Sequence, residues 1–435
     1  YLFGTAVSKN KLIPVVIAFA INYAGGLLAG PAHRPSTRRL GMTLAVVLGL
    51  ALLGWFKYAG FFGEMLHALM PFIPVPQVTL PIGISFFTFQ GLSYVIDVFR
   101  DDAAVQRSPL KLALYISFFP QLVAGPIVRY TTVADEIDER HESVSEFSAG
   151  AVRFLFGLAK KMLLANAVAQ IADAAFSAVS PSVALAWLGA VAYTFQIYFD
   201  FSAYSDMAIG LGRMFGFHFL ENFNYPYVSR SVTEFWRRWH ISLSSWLKDY
   251  LYISLGGNRK GRARTYANLM LTMLLGGLWH GAAVRFILWG ALHGAALAVH
   301  KALMHAFPSV FKASGEQMRP WRRVLGVLVT FHVVCLGWIL FRAPDMQTGE
   351  RILSQIFGHF QWRLIPQVVS GYGAVMALMA AGYLLHMLPR RAEAWGERTV
   401  AGAPLVVKAL MLTVLIWCVM QIKSSEIQPF IYFQF

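Results

Sequence analysis

Two histidines stand in apolar, tryptophan-rich surroundings. His240 closes the run Glu234-Phe235-Trp236-Arg237-Arg238-Trp239-His240, and His280 follows the apolar run from Leu269 to Trp279 and precedes Gly281. A titratable side chain in lipid-like sequence is expensive, so it has a task or a partner. Imidazole titrates near neutral pH, which suits it to moving a proton. The bland alternatives are a wetted interfacial side chain for His240 and a ring satisfied by a backbone carbonyl at a helix break for His280. With His293 the pair could in principle hold a metal. No carboxylate or second pair sits at ligand spacing, so no metal is expected.

Two other stretches carry polar chemistry. Gly256-Gly257-Asn258-Arg259-Lys260-Gly261 is glycine-rich and basic. Exposed backbone N–H groups in such a loop can hold phosphate. The Walker A spacing is absent, and on the charge bias alone a basic cytoplasmic turn accounts for the loop better. Phe199-Asp200-Phe201-Ser202-Ala203-Tyr204-Ser205-Asp206 places two acids inside an apolar stretch. They either line a polar tunnel or lock helices together through ion pairs. The pairing of buried charges favours the lock.

These residues need elements to position them. Of 435 residues, 57% are hydrophobic and 14% charged; a soluble domain carries about a quarter charged. Several apolar runs reach the ~20 residues that span a bilayer as helix. They are continuous rather than alternating, which argues against a β-barrel. The expected fold is all-α, one polytopic bundle over residues 1–435. The spans are predicted at 11–30, 41–57, 78–98, 109–128, 148–176, 183–212, 267–300, 323–341, 369–388 and 403–422. Pro81 and Gly83 interrupt one, and Pro120, Gly125 and Pro126 break another, which reads as re-entrant. Broken helices are tolerated where they are buried in protein or line a cavity.

The net charge of +15 would point to nucleic acid in a soluble protein. Here basic loops at 31–40 and 230–264 are assigned to the cytoplasm, and no nucleic-acid partner is expected. Residues 134–146 are acidic and give no sidedness. The two cysteines, Cys335 and Cys418, sit in separate apolar segments, excluding a disulfide framework. The chain starts at Tyr1, so preceding helices are expected to be missing.

Residues 231–252 read as one amphipathic interfacial helix. Phe235, Trp239, Leu243, Trp246 and Tyr250 share one face, and Arg237, His240, Ser244 and Lys248 form a polar stripe. The apolar run before His280 has 11 residues, too few to span. It reads as a half-helix delivering His280 to mid-membrane depth.

Six segments carry a family resemblance. They are Leu80-Pro81-Ile82-Gly83-Ile84-Ser85-Phe86, Gln121-Leu122-Val123-Ala124-Gly125-Pro126, Tyr198-Phe199-Asp200-Phe201-Ser202, Glu234 through Trp246, Tyr250 through Arg259, and Leu274 through Ala282. In order and spacing the chain resembles the membrane-bound O-acyltransferases, in the bacterial branch that O-acetylates exopolysaccharides. The ending Pro429 to Phe435 also looks like the family's C-terminus.

The resemblance implies a helical membrane body with a central funnel. The family's signature histidine falls on His280 and its second polar position on His240. It implies acetyl-CoA as donor substrate, no permanently bound cofactor, and passage of the acetyl group across a bacterial inner membrane. An extracytoplasmic partner resembling SGNH hydrolases, a polysaccharide synthase complex and membrane lipid would be its neighbours. Alginate and cellulose both fit as polymers. His280 would act as general base and His240 would orient or polarise. Arg237, Arg238, Lys248, Arg259 and Lys260 would hold the CoA phosphates. Trp236, Trp239, Ser244, Trp279, Asp200 and Tyr204 would line the tunnel. D-alanyl or lipid acyl transfer, and a transporter or scaffold, remain as alternatives.

Overall fold

A computed structural model describes residues 9–122, 125–179, 182–308, 319–358 and 361–421. Among them every regular element is helical. The first three helices are α1 (Lys9–Ala29), α2 (Pro35–Leu69) and α3 (Ile84–Phe99). The short helices α4 (Pro109–Ser117), α5 (Phe119–Leu122) and α6 (Tyr130–Asp138) follow. Next, α7 (Val144–Ala159) runs through a π turn, Lys160–Ala165, into α8 (Asn166–Ser177), and α9 spans Val183–Met214. After them come α10 (Val232–Arg238), α11 (Ile241–Trp246), α12 (Gly261–His280), α13 (Val284–Ala306) and α14 (Pro320–Arg342). The last four are α15 (Met346–Ile356), α16 (Ile365–His386), α17 (Arg390–Gly402) and α18 (Leu405–Gln421).

Seven helices among the described residues are long and apolar enough to cross a membrane, and α17 with α18 forms a further pair bent by 117°. The chain is a multi-pass membrane protein. It divides into two compact units, Tyr1–Gly150 with Leu211–Leu220, and Ala151–Gly210 with Glu221–Phe435.

In the first unit α1, α2 and α3 pack closely. A side chain at Gly91 would strike Asn22, its Cβ only 2.2 Å from Nδ2. Gly83 caps α3 at φ 80°, and a Cβ there would lie 2.5 Å from the Leu122 carbonyl oxygen. Only glycine meets both demands. The predicted span at 78–98 is therefore helical only from Ile84. The predicted span at 109–128 is two short helices broken at Phe118. Val123, Ala124 and the C-terminal segment Pro429–Phe435 lie outside the described residues.

The second unit carries both histidines. Its α9 is the most buried of the candidate spans, with buried polar residues such as Gln196, Asp200 and Asp206 among its apolar ones. The predicted span at 267–300 is a hairpin rather than one helix. The chain leaves helical geometry at Gly281, where φ is −167°, and α13 folds back along α12. Glycines make that approach possible. A Cβ on Gly277 would meet the Phe286 carbonyl oxygen at 2.2 Å, and one on Gly290 the Met273 oxygen at 2.4 Å. The half-helix before His280 is also corrected. α12 runs 20 residues from Gly261, about 30 Å, because Arg262 and Arg264 start the helix without ending its hydrogen bonding.

Candidate functional site

The predicted amphipathic helix 231–252 is broken at its centre. Ser231 caps α10 by accepting from Glu234 N–H at 3.2 Å, a serine cap of the usual kind. Glu234 accepts from the Arg230 backbone N–H at 3.0 Å and from Arg238 at 2.7 Å. Partial burial pushes its carboxyl up. Bonding from Arg230 and the charges of Arg230 and Arg238 outweigh that and hold it below the usual carboxylate range.

The chain then turns at His240, which adopts φ 43°, ψ 56°. A left-handed conformation is uncommon for a residue with a side chain and is held by its surroundings. Segment 222–224 supplies them: Asn224 N–H donates to the Arg238 carbonyl and Ile241 N–H to the Asn222 carbonyl, both at 2.9 Å. The turn shifts the helical phase, so His240 does not lie on a polar stripe. It is wholly buried.

Inside, His240 Nδ1 lies 3.1 Å from Asn222 Oδ1. The same oxygen accepts from Ser242 N–H at 3.2 Å and Ser242 Oγ–H at 2.8 Å. Asn222 Nδ2 donates to Ser205 Oγ at 3.1 Å. Phe201 stands edge-on to the ring at 4.7 Å between centroids. His240 Nε2 is buried without a protein partner. Burial pulls its pKa down to about 3, so the ring is neutral.

His280 ends α12 and is half-buried. Its ring lies 5.0 Å from Trp279, 5.2 Å from Trp289 and 5.1 Å from Phe341. Trp279 in turn lies 6.1 Å from His240. One indole thus touches both histidines. Arg285, the lone fixed charge of residues 269–299, donates to the Phe341 and Ala343 carbonyls that end α14. A cation suits a helix C-terminus, and here it anchors the Phe341 segment beneath His280. His293 is buried beside Trp236 and Trp289, at 5.1 and 4.8 Å, with neither ring nitrogen bonded to protein. No group of three metal-ligating side chains occurs among the described residues.

The acids of α9 are paired, as the lock predicts. Asp206 meets Arg153 at 2.6 Å and Lys160 at 2.5 Å, and Asp200 meets Lys161 at 2.6 Å. The wider π turn at 160–165 turns both lysines toward α9. No spacing in the sequence announces these partners.

Two cavities adjoin the histidines' elements. One, about 1060 Å³, lies between α10, α13 and α14. Arg230, Arg237, Arg238 and Arg322 line it together with apolar residues such as Leu292 and Val329. The other, about 230 Å³, is polar and has Asn222 and Asp206 on its wall. Of the five basic residues expected at CoA phosphates, Arg237 and Arg238 line the larger cavity, whereas Lys248, Arg259 and Lys260 are exposed and line neither. Gly256, Gly257 and Gly261 hold the basic loop in a turn, with φ of 104°, 53° and 83°. Of the expected tunnel residues, Trp279 stands between the histidines and Trp236 beside His293. Trp239 packs on Phe235 and Trp338, Ser244 Oγ donates to the Trp239 carbonyl at 3.1 Å, and Tyr204 and Asp200 line neither cavity.

Fold and site define a helical multi-pass membrane protein with two histidines packed against one tryptophan. The family model of the membrane-bound O-acyltransferases matches residues 50–337, and the chain belongs to that family; it is an acyltransferase. It is 42% identical to the probable alginate O-acetylase of Pseudomonas putida over 442 residues, covering 95% of this chain and 88% of that one. With the probable alginate O-acetylase of Pseudomonas syringae pv. tomato it shares 47% identity over 79% of this chain and 65% of the relative. It is also 36% identical to a peptidoglycan O-acetyltransferase of Helicobacter pylori, over 82% of this chain and 72% of the relative.

Proposed function

We propose that the chain is an O-acetyltransferase of a bacterial inner membrane, taking acetyl from cytoplasmic acetyl-CoA and passing it to a hydroxyl acceptor of an exopolysaccharide pathway. The observation that supports this most is the shared contact of His240 and His280 with Trp279, in a chain similar to O-acetylases of alginate and peptidoglycan. His280 takes the acceptor hydroxyl's proton. The oxygen then attacks the thioester carbonyl, the C–S bond breaks, and the proton passes to the departing thiolate. His240 accepts a hydrogen bond from a neighbouring hydroxyl and so orients the acceptor. The larger cavity suits the donor: arginines at the phosphates, apolar walls along the pantetheine arm. A partner across the membrane, an SGNH-hydrolase-like protein working with a polysaccharide synthase, would receive the acetyl group.

The test is His280→Ala as the sole copy in cells. Polymer acetylation is expected to vanish while membrane expression stays normal. Normal acetylation in that strain would overturn the assignment.

A further inference from the structure

Among the described residues of the second unit, only Tyr225 and His240 adopt a positive φ without being glycine, at 45° and 43°. At Tyr225 this is doubly unfavourable. Its side chain disfavours the left-handed region, and Pro226 pushes the residue before it toward extended geometry. Such a conformation persists only where its surroundings over-determine it. Between the two residues the chain is paired twice. Asn224 N–H donates to the Arg238 carbonyl and Ile241 N–H to the Asn222 carbonyl, both at 2.9 Å. The Arg238 guanidinium adds a bond to the Asn224 carbonyl at 3.2 Å. These bonds set Asn222 beside His240 and hold the segment from one side.

His386, the last residue of α16, holds it from the other side. Met379, Gly382 and His386 are the buried residues of α16, spaced so that they share one face. A Cβ on Gly382 would lie 2.8 Å from the Phe199 ring, so the seam is close. His386 is 3% exposed, and its Nε2 lies 3.1 Å from the Tyr227 backbone nitrogen. A backbone N–H only donates, so Nε2 accepts and the neutral ring carries its proton on Nδ1. Nδ1 has no protein partner, so the bond to Tyr227 is the one by which the ring holds the chain. Tyr198 and Tyr225 pack on the ring at 4.6 and 5.4 Å. Tyr227 Oη donates to the Thr194 carbonyl at 2.6 Å, and Tyr225 Oη to Glu393 at 2.5 Å.

We propose that His386 is a positioning residue for the transfer reaction: its Nε2 holds the strained turn at Tyr225–Tyr227, and through that turn it keeps Asn222 Oδ1 against His240 Nδ1. The proposal rests on the reading that His240 orients the acceptor. His386 acts through Asn222 and not on the substrate. Without its lone pair the Tyr227 N–H is buried and unsatisfied, which is costly. Tyr225 then relaxes toward the extended geometry that Pro226 favours. Asn222 lies only five residues before Tyr227, so the relaxation reaches it. A shift of an ångström there undoes a bond of 3.1 Å.

Variants of the full chain in nanodiscs test this, read by rate and by the ¹³C and ¹⁵N shifts of the His240 ring. His386→Gln, whose amide oxygen reaches the place of Nε2, is expected to keep a single His240 tautomer and most of the rate. His386→Leu fills the space without an acceptor. It should give a mixture of tautomers and lower kcat roughly tenfold to a hundredfold, with KM for acetyl-CoA unchanged. Added to Asn222→Ala, it should cost no further rate, because both changes act on one contact. If the leucine variant does not fold, His386→Asn takes its place: its amide oxygen stops where Nδ1 stands and cannot reach Tyr227. A single tautomer in the leucine or asparagine variant, equal rates in the glutamine and leucine variants, or losses that multiply in the double variant would overturn the proposal. A chain whose His240 ring follows the expected pattern but which transfers no acetyl group would count against the proposed reaction instead.

Discussion

His240 Nδ1 and Asn222 Oδ1 lie 3.1 Å apart, and the Ser242 backbone N–H points at the same oxygen from 3.2 Å. A backbone N–H only donates, so the atom facing it is the amide oxygen. That oxygen only accepts, so His240 Nδ1 carries the proton. In the neutral ring Nε2 then holds a lone pair. His240 can receive a hydrogen bond from a hydroxyl through Nε2 but cannot give one to a thioester carbonyl. Of the two roles proposed for it, orienting the acceptor is the one this tautomer suits.

Asn222→Ala is therefore expected to lower kcat about 10²-fold, the scale of a catalytic group misplaced by an ångström, with KM for acetyl-CoA unchanged. Asn222→Asp, whose carboxylate still accepts from Nδ1–H, should restore most of the rate. The ¹³C and ¹⁵N shifts of the His240 ring would show one tautomer in the unaltered chain and the Asp variant, and a mixture in the Ala variant. Equal losses in both variants would reduce Asn222 to a packing role.

The depressed pKa of His240 also sets a stability window. The buried ring titrates at about 3, while an unfolded histidine titrates near ~6.5. Between those values the unfolded chain binds one more proton, so stability rises with pH. The contribution is complete above about 6.5 and declines by about 1.4 kcal/mol per pH unit as pH falls toward 3. Thermal melting in detergent should drop between pH 6 and 4, and His240→Gln should melt with a shallower slope over that range. Identical slopes would mean that His240 is not buried neutral.

The sequence revealed residue types better than residue positions. The choice of the two histidines and the paired fate of Asp200 and Asp206 follow from one rule, that polar groups in an apolar setting need partners or a task, and the multi-pass helical class follows from the length and continuity of the apolar runs. The partners themselves were not legible. Asn222 sits 18 residues before His240 and meets it only because the chain takes a left-handed turn. No glycine or proline at Trp239-His240-Ile241 announces that turn, so a helical wheel carried the phase straight through and put His240 on the wrong face. Lys160 and Lys161 reach α9 from a π turn, a feature that 3.6-residue spacing cannot foresee.

The split of the basic residues predicts a split in kinetics. Arg237 and Arg238 line the large cavity, and Lys248 and Arg259 do not. A charge-assisted bond to phosphate contributes about 1.5–3 kcal/mol, so Arg237→Ala should raise KM for acetyl-CoA roughly tenfold to a hundredfold. Lys248→Ala and Arg259→Ala should stay within about twofold, as exposed substitutions do. Equal effects in all three variants would place the phosphates on the outer basic loop.

The hairpin of α12 and α13 gives the sharpest structural prediction. His280 is the last residue of α12, and its depth in the second unit depends on how closely α13 approaches. That approach is backbone against backbone. A Cβ on Gly290 would stand 2.4 Å from the Met273 carbonyl oxygen and 3.0 Å from its carbon, and neither atom can swing aside as a flexible side chain would. The helices must part, at a cost of about 1–3 kcal/mol for overpacking, and the Trp289 that touches His280 lies one residue from the wedge. Gly290→Val should lower both the melting temperature and the transfer rate. Gly371→Ala, on α16 where a Cβ meets nothing within 4 Å, should change neither. If Gly290→Val melts normally yet loses the rate, the glycine sets the position of His280 rather than the stability of the fold; if it keeps both, the close approach of α12 and α13 is not what holds His280 in place.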